Sequence, residues 1–314
     1  MVMESRSARL RKIRNLALLL AALSFLILLV SAYIRLSGAG LDCSPWPDCY
    51  GQLLVGGPYQ HGDAARILHR VVASSALLLG FVLAWQCQRP QPIQPPARYA
   101  TALLVLMILL TFVGIWSADP HRVWAAFINI LGGAGLVLLS WRTALAAGTE
   151  QAPSPRRRPA ALLHAGLGTL ALTMALGALI GARYAAIACP YLPTCIDASW
   201  PAAAGWSALN PFTRVAVAAS MGDDGGVALH LLHRYCALAT LWLLGLGGLR
   251  ALAQPASRQS AALLLALLLV QFALGVLTVL SGLSLRLAIA HSVCAAALLA
   301  VGMQVLIRAK GAAA

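Results

Sequence analysis

Acidic side chains are scarce: nine Asp+Glu stand against 23 Lys+Arg in 314 residues, and charged residues together make up 10% of the chain. A soluble domain carries roughly 25%, so a water-soluble globule and a disordered polymer are both excluded. Lysine is nearly absent, with only Lys12 and Lys310, so the formal charge of +14 is almost entirely arginine. The chain is 60% hydrophobic with a mean hydropathy of +0.80. In such a chain a basic excess reports topology and contact with membrane lipid, and no nucleic-acid partner is expected. No segment alternates polar and apolar residues in the manner of a barrel strand. No proline or acidic residue interrupts the middle of an apolar run, which argues against an ion-coupled transporter.

What is present is apolar length. A membrane-crossing helix needs about 20 apolar residues, and eight windows qualify, near 14–36, 67–87, 98–118, 123–146, 160–182, 227–249, 260–281 and 286–307. The first follows Arg6, Arg9, Arg11, Lys12 and Arg14, but it is longer than the roughly 7–15 residues of a signal-peptide core, so it reads as a retained helix. Alternating the sides of the loops places fifteen of the 23 basic residues on one face and seven of the nine acids on the other. The positive-inside rule then puts both termini in the cytoplasm. No amphipathic, Ser-rich leader precedes the first span, which favours a bacterial inner membrane over a mitochondrial one.

The spans form two copies of one unit. SAYIRLSGAGLDCSPWPDC after span one corresponds to IGARYAAIACPYLPTC after span five, and ILHRVVASSALLLG to LLHRYCALATLWLLG. VGIWSADPHRVWAAFIN matches LGVLTVLSGLSLRLAIAH with one residue gapped. Three matches in the same order indicate a duplication with both copies entering from the same side. The expected fold is an all-α membrane protein: eight transmembrane helices as two pseudo-symmetric four-helix bundles. Residues 1–148 form the first half, 149–159 a polar cytoplasmic linker, and 160–314 the second half.

Cys43 and Cys49 lie six apart in the first outer loop, as do Cys189 and Cys195 in its counterpart. On the oxidising side of the membrane this spacing reads as two loop disulfides, with redox exchange by one pair left open. A shared metal would require the pairs to converge. Cys87, Cys236 and Cys294 fall within spans, where small buried thiols behave as apolar residues.

Ionisable groups inside spans are expensive and mark function. His69, His233 and His291 all lie near the outer membrane face, with His69 equivalent to His233 and His291 to Asn129. The second half thus presents two histidines at matched depth from helices two apart, a standard means of holding a haem iron through two imidazoles. Three arginine pairs repeat as well: Arg35 with Arg183, Arg70 with Arg234, and Arg122 with Arg286. They lie on the side that the positive-inside rule depletes, which favours bidentate pairing with haem propionates over snorkelling to headgroups. His61, His121 and His164 read as solvent-facing or structural, and His230 as either a haem-edge contact or a packed polar residue. Trp46, Trp116, Trp124, Trp200 and Trp206 fit an interfacial belt, and Gly132, Gly133 and Gly135 a close helix contact.

These residues resemble the haem A synthase family of cytochrome oxidase assembly. The match is carried by RLSGAGLDCSPWPDCYGQ, the LHR that opens span two, NILGGAG, YAAIACPYLPTC, LHLLHR and LAIAHSVCAAALL, in order along nearly the whole chain. The resemblance implies a permanent haem b held by His233 and His291 in the second half. It implies a first half that receives haem O at His69 and oxidises its C8 methyl through an alcohol to a formyl group, giving haem A. The cysteine pair near that site would take part in or support activity. Implied partners are a haem O synthase, cytochrome c oxidase assembly factors and an electron acceptor that the sequence does not name, with homo-oligomerisation left open. Two positions depart from the family pattern: Arg66 stands where members usually carry Glu, and Asn129 where they usually carry His. Arg66 and Asn129 therefore join His69 as candidate catalytic residues, with Arg66 suited to gripping a propionate. The competing reading is a non-catalytic haem b carrier or electron-transfer paralogue.

Overall fold

With no water in hydrocarbon to pair with the backbone, a spanning segment must satisfy its own N–H and C=O groups, and an apolar run of 20 or more residues does so as a helix. The computed structural model describes residues 6–56, 63–148, 160–195 and 200–311. Among these residues it has eight long helices: α1 (Arg6–Ala39), α2 (Asp63–Gln88), α3 (Ala97–Trp116), α4 (Val123–Gly148), α5 (Ala161–Ala182), α6 (Asp224–Leu252), α7 (Arg258–Leu280) and α8 (Leu285–Gly311). All eight are long and apolar enough to cross a membrane. The chain is an all-helical, multi-pass membrane protein. The expected linker 149–159 with its arginines, together with His61 and Asp197, lies outside the described residues.

The first helix starts earlier than its apolar window, because the basic run extends it by about two turns. Arg9 explains the extension: its Nε and Nη2 donate to the carbonyl of Gln86, at 3.1 and 2.8 Å, and Nη1 to that of Pro90. A helix leaves its last carbonyls unpaired, and the guanidinium supplies donors to them at the end of α2. At the other face, the Asp223 carboxylate caps α6 by accepting from Gly226 N at 2.8 Å.

α1, α4, α5 and α8 touch one another and form the centre, while α2 and α3 flank one side and α6 and α7 the other. One apolar core joins Leu20, Leu83, Leu103 and Leu136 within the first half. A second joins Leu167, Leu244, Leu264 and Leu298 within the second half. Between the halves, Leu28, Ala134, Val137, Ala296 and Ala300 pack together, and Trp141 Nε1 donates to Gln304 Oε1 at 3.1 Å. Ile67, Val71, Leu78 and Trp85 of α2 and Leu263, Leu269, Leu277 and Leu280 of α7 are exposed, as lipid-facing residues are.

Packing between helices in lipid relies on close approach rather than on expulsion of water. A methyl group on Gly166 of α5 would stand 2.7 Å from Leu244 Cδ2 and 2.8 Å from its backbone N, whereas one on Gly168 would meet open space. Gly166→Ala should therefore destabilise the second half by about 1–3 kcal/mol, and Gly168→Ala should leave it unchanged. Thermal melts of the purified protein in detergent test the pair, and equal effects would contradict this packing.

Candidate functional site

α6 and α8 bring His233 and His291 face to edge, with ring centres 6.4 Å apart and planes inclined by 62°. Two imidazole–metal bonds of about 2 Å, plus about 1 Å from each nitrogen to its ring centre, would put the centres about 6 Å apart. The observed spacing fits that arrangement. His233 Nδ1 lies 2.9 Å from the carbonyl oxygen of Thr173 on α5, a bond that places the proton on Nδ1 and leaves Nε2 as a free lone pair. Both rings rest where a neighbouring helix has no Cβ. A methyl on Gly177 would approach His233 Cε1 to 3.2 Å, and one on Gly275 would approach His291 Cε1 to 3.0 Å. Gln271 of α7 lies against His291, its Nε2 3.3 Å from each ring nitrogen, while its Oε1 is buried without a partner. Two imidazoles at this spacing, one oriented by a carbonyl and the other beside an unused acceptor, have the chemistry of a bis-histidine metal site.

The equivalent positions in the first half differ. Asn129 and His291 each stand six residues after the first residue of their helix, so the repeat register holds. His69 is partly buried on α2, whereas Arg66 and Arg70 are exposed. At these equivalent positions there is one imidazole in the first half and two in the second, and no cluster of three or more metal-binding side chains occurs among the described residues.

The arginines divide by role. Arg35 lies beside Gly181, where an added methyl would sit 2.8 Å from its Nη1. Arg183 donates to Thr213 Oγ1 at 2.7 Å and to the carbonyl of Asn210. Burial lowers the pKa of Arg183 from its ordinary value, an effect opposed by the nearby Asp223 carboxylate. Arg234 donates to the carbonyls of Cys189 and Pro193 and so clasps the loop closed by the Cys189–Cys195 disulfide. Arg286 is exposed. Arg122 pairs with Asp119 at 2.9 Å, and Arg214 reaches the same carboxylate at 3.1 Å.

Both cysteine pairs are disulfides, Cys43–Cys49 and Cys189–Cys195. Tyr50, next to the first, receives a hydrogen bond from Ala186 N, and burial raises its phenol pKa above the ordinary value. His230 lies 3.0 Å from the Ala185 carbonyl through Nε2 and is a packed polar residue. His121 bonds the Val215 carbonyl through Nδ1 at 2.7 Å, and His164 the Ala160 carbonyl at 2.8 Å. Thr173, Gly177, Gly275 and Gln271 escaped the sequence reading. The signal for Gln271 was a lone amide inside the apolar run LLLVQFALG.

Residues 67–303 match the model of the cytochrome oxidase assembly protein family. The chain belongs to that family. It is 26% identical over 302 residues to the heme A synthase of Shewanella oneidensis, covering 88% of this chain and 90% of the relative. Over a shorter stretch of 88 residues it is 34% identical to the heme A synthase of Symbiobacterium thermophilum, covering 28% of each chain. The matched region contains His69, His233 and His291, together with Arg70 and Arg234, which follow the first two of these histidines.

The Asp119 carboxylate ties Arg122, at the start of α4, to Arg214 in the loop before α6 and thus joins the two halves outside the membrane. Its hydrogen bond from Arg122 lowers its pKa to about 2, helped by His121 N and by Arg214. A carboxyl group depressed in the folded state stabilises above its unfolded value of about 3.9, and that contribution is lost as pH falls through the folded value. The difference in melting temperature between wild type and Asp119→Asn should be full at pH 5 and shrink as pH falls from about 4 towards 2. A difference that does not vary over this range would show that the ion pair does not hold the loops.

Proposed function

We propose that the chain is a haem A synthase-like membrane oxidoreductase of cytochrome c oxidase assembly. In this reading the second half holds haem b between His233 and His291, and the first half takes haem O as substrate at His69. The C8 methyl of haem O is oxidised through an alcohol to the formyl group of haem A. The observation that carries the reading is the pair of imidazoles at 6.4 Å, with His233 already oriented by Thr173. The family match and the likeness to the heme A synthase from Shewanella oneidensis support the reading.

Bound haem b supplies one-electron chemistry next to the substrate half. The chain's own residues bind, orient and exclude water. His69 offers a single imidazole and Asn129 an amide, a holding weaker than two imidazoles and suited to a substrate that must leave as product. Arg66 and Arg70, exposed on α2, present guanidiniums to carboxylates such as propionates. The haem b propionates would fall to the outer-face arginines Arg35, Arg122, Arg183, Arg234 and Arg286, three of which (Arg122, Arg183 and Arg286) lie at or next to a helix end. The Cys43–Cys49 and Cys189–Cys195 disulfides brace the outer loops above both sites. The reading places the chain in a bacterial inner membrane, and the positive-inside pattern supports both termini lying on the cytoplasmic side. A haem O synthase, oxidase assembly factors and an external electron acceptor follow as partners.

One observation favours a second reading, a haem b carrier without catalysis: Arg66 and Asn129 occupy the positions of the family's usual Glu and His. Coexpression with a haem O synthase, followed by haem extraction, separates the two. Haem A and its hydroxymethyl precursor are expected, and both should be lost in His69→Ala. Haem b with unconverted haem O would leave only the carrier. His233→Ala and His291→Ala should each remove the bis-imidazole absorption spectrum that His69→Ala retains, and the reverse pattern would overturn the assignment of the halves.

A further inference from the structure

Among the described residues, two side-chain oxygens are buried without a partner, those of Gln94 and Gln271, and only Gln271 lies against a candidate ligand. It interrupts an apolar helix, its NH2 is shared between the two nitrogens of His291 at 3.3 Å each, and its carbonyl oxygen is buried with no partner. Stranding a buried acceptor forfeits its hydration without return, a burden that natural cores rarely carry unless the group has a use. The use follows from the chemistry of the ring. A neutral imidazole that gives one nitrogen to a metal keeps its proton on the other, and that N–H needs an acceptor. An NH2 group only donates. A half-turn of the terminal amide, whose torsion is broad and roughly two-fold, exchanges nitrogen for oxygen and satisfies both groups.

We propose that Gln271 is the positioning residue for His291, its amide oxygen accepting the hydrogen bond from the ring nitrogen that is not bound to iron. The inference rests on the haem b reading above. It gives the two imidazoles matching supports from opposite flanks: the Thr173 carbonyl on α5 behind His233, and the Gln271 amide on α7 behind His291. The repeat provides an internal contrast. Aligning Gly114 with Gly275 sets Leu110 opposite Gln271, and Leu110 fills the space over Gly132. The first half has no side-chain acceptor at that position, as suits a site whose occupant is exchanged.

An acceptor behind an axial imidazole makes the ring more basic and favours ferric over ferrous iron. Three variants of the full chain, purified with haem b, test this by reduction potential, by haem retention against a competing apo-haemoprotein, and by electron paramagnetic resonance of the ferric form. Gln271→Leu, which keeps the volume but removes the acceptor, should raise the potential, weaken haem retention about 10- to 100-fold and broaden the low-spin signal as the ring plane loosens. Gln271→Glu keeps a carbonyl-type acceptor and should restore retention, with a potential at or below that of wild type. A Gln271→Leu protein that matches wild type in potential and retention overturns the inference, as does a Gln271→Glu protein that behaves like Gln271→Leu. His291→Ala separates this from failure of the underlying reading. If it keeps the bis-imidazole spectrum, the haem b assignment falls; if it loses that spectrum while both Gln271 variants match wild type, only the role of Gln271 falls.

Discussion

Inside a membrane a polar group has no water to fall back on, and this one constraint organises the protein. It makes each span a helix, and it sends the hydroxyls of Ser24, Thr143, Thr173 and Thr240 back to carbonyls one turn earlier on their own helices. It brings Ser24 to Ser140 and Thr173 to Thr240 across helix contacts. It also fixes His233, whose Nδ1 finds the Thr173 carbonyl. An imidazole held in this way has only one nitrogen left to offer, so the same rule that builds the bundle also builds a ligand.

Duplication lets two nearly identical frames answer this constraint differently. In the second half two rings rest over glycines, one bonded to a carbonyl and the other set beside an amide. In the first half the corresponding positions hold one imidazole, an asparagine and a leucine. Under the proposed function, a frame furnished for tight, permanent holding would stand beside one furnished for turnover. The seam between them, from Leu28 to Ala300 with the Trp141–Gln304 bond, fixes their separation.

Much of this architecture was legible in the sequence, because the membrane simplifies the code. Apolar length located all eight helices. Matched depth pointed to His233 and His291 as neighbours, whose rings lie 6.4 Å apart, and the spacing of Cys43 with Cys49 and of Cys189 with Cys195 anticipated two disulfides. The supports behind the ligands were hidden for definite reasons. Thr173 contributes a backbone carbonyl, which every residue has, and Gly177 and Gly275 matter only through what lies across from them. Arg183 and Arg234 read as carboxylate grips, yet each also holds a loop carbonyl, a use that depends on how the outer segments fold back. The early start of α1 was missed because charge hides helix from a hydropathy window, and the reason for it, the carbonyls at the end of α2, lies 77 residues away.

That early start has a bearing on how membrane orientation would be mapped. Arg9 belongs to the cluster of positive charge that the positive-inside rule would have direct insertion, and it also fastens the end of α2 through Gln86 and Pro90. Reversing its charge to flip the polypeptide would at the same time unbutton two neighbouring spans, so a reporter fused to the far terminus would register damage and inversion together. Exchanging the exposed Arg11 instead would perturb the translocation signal while leaving that fastening in place.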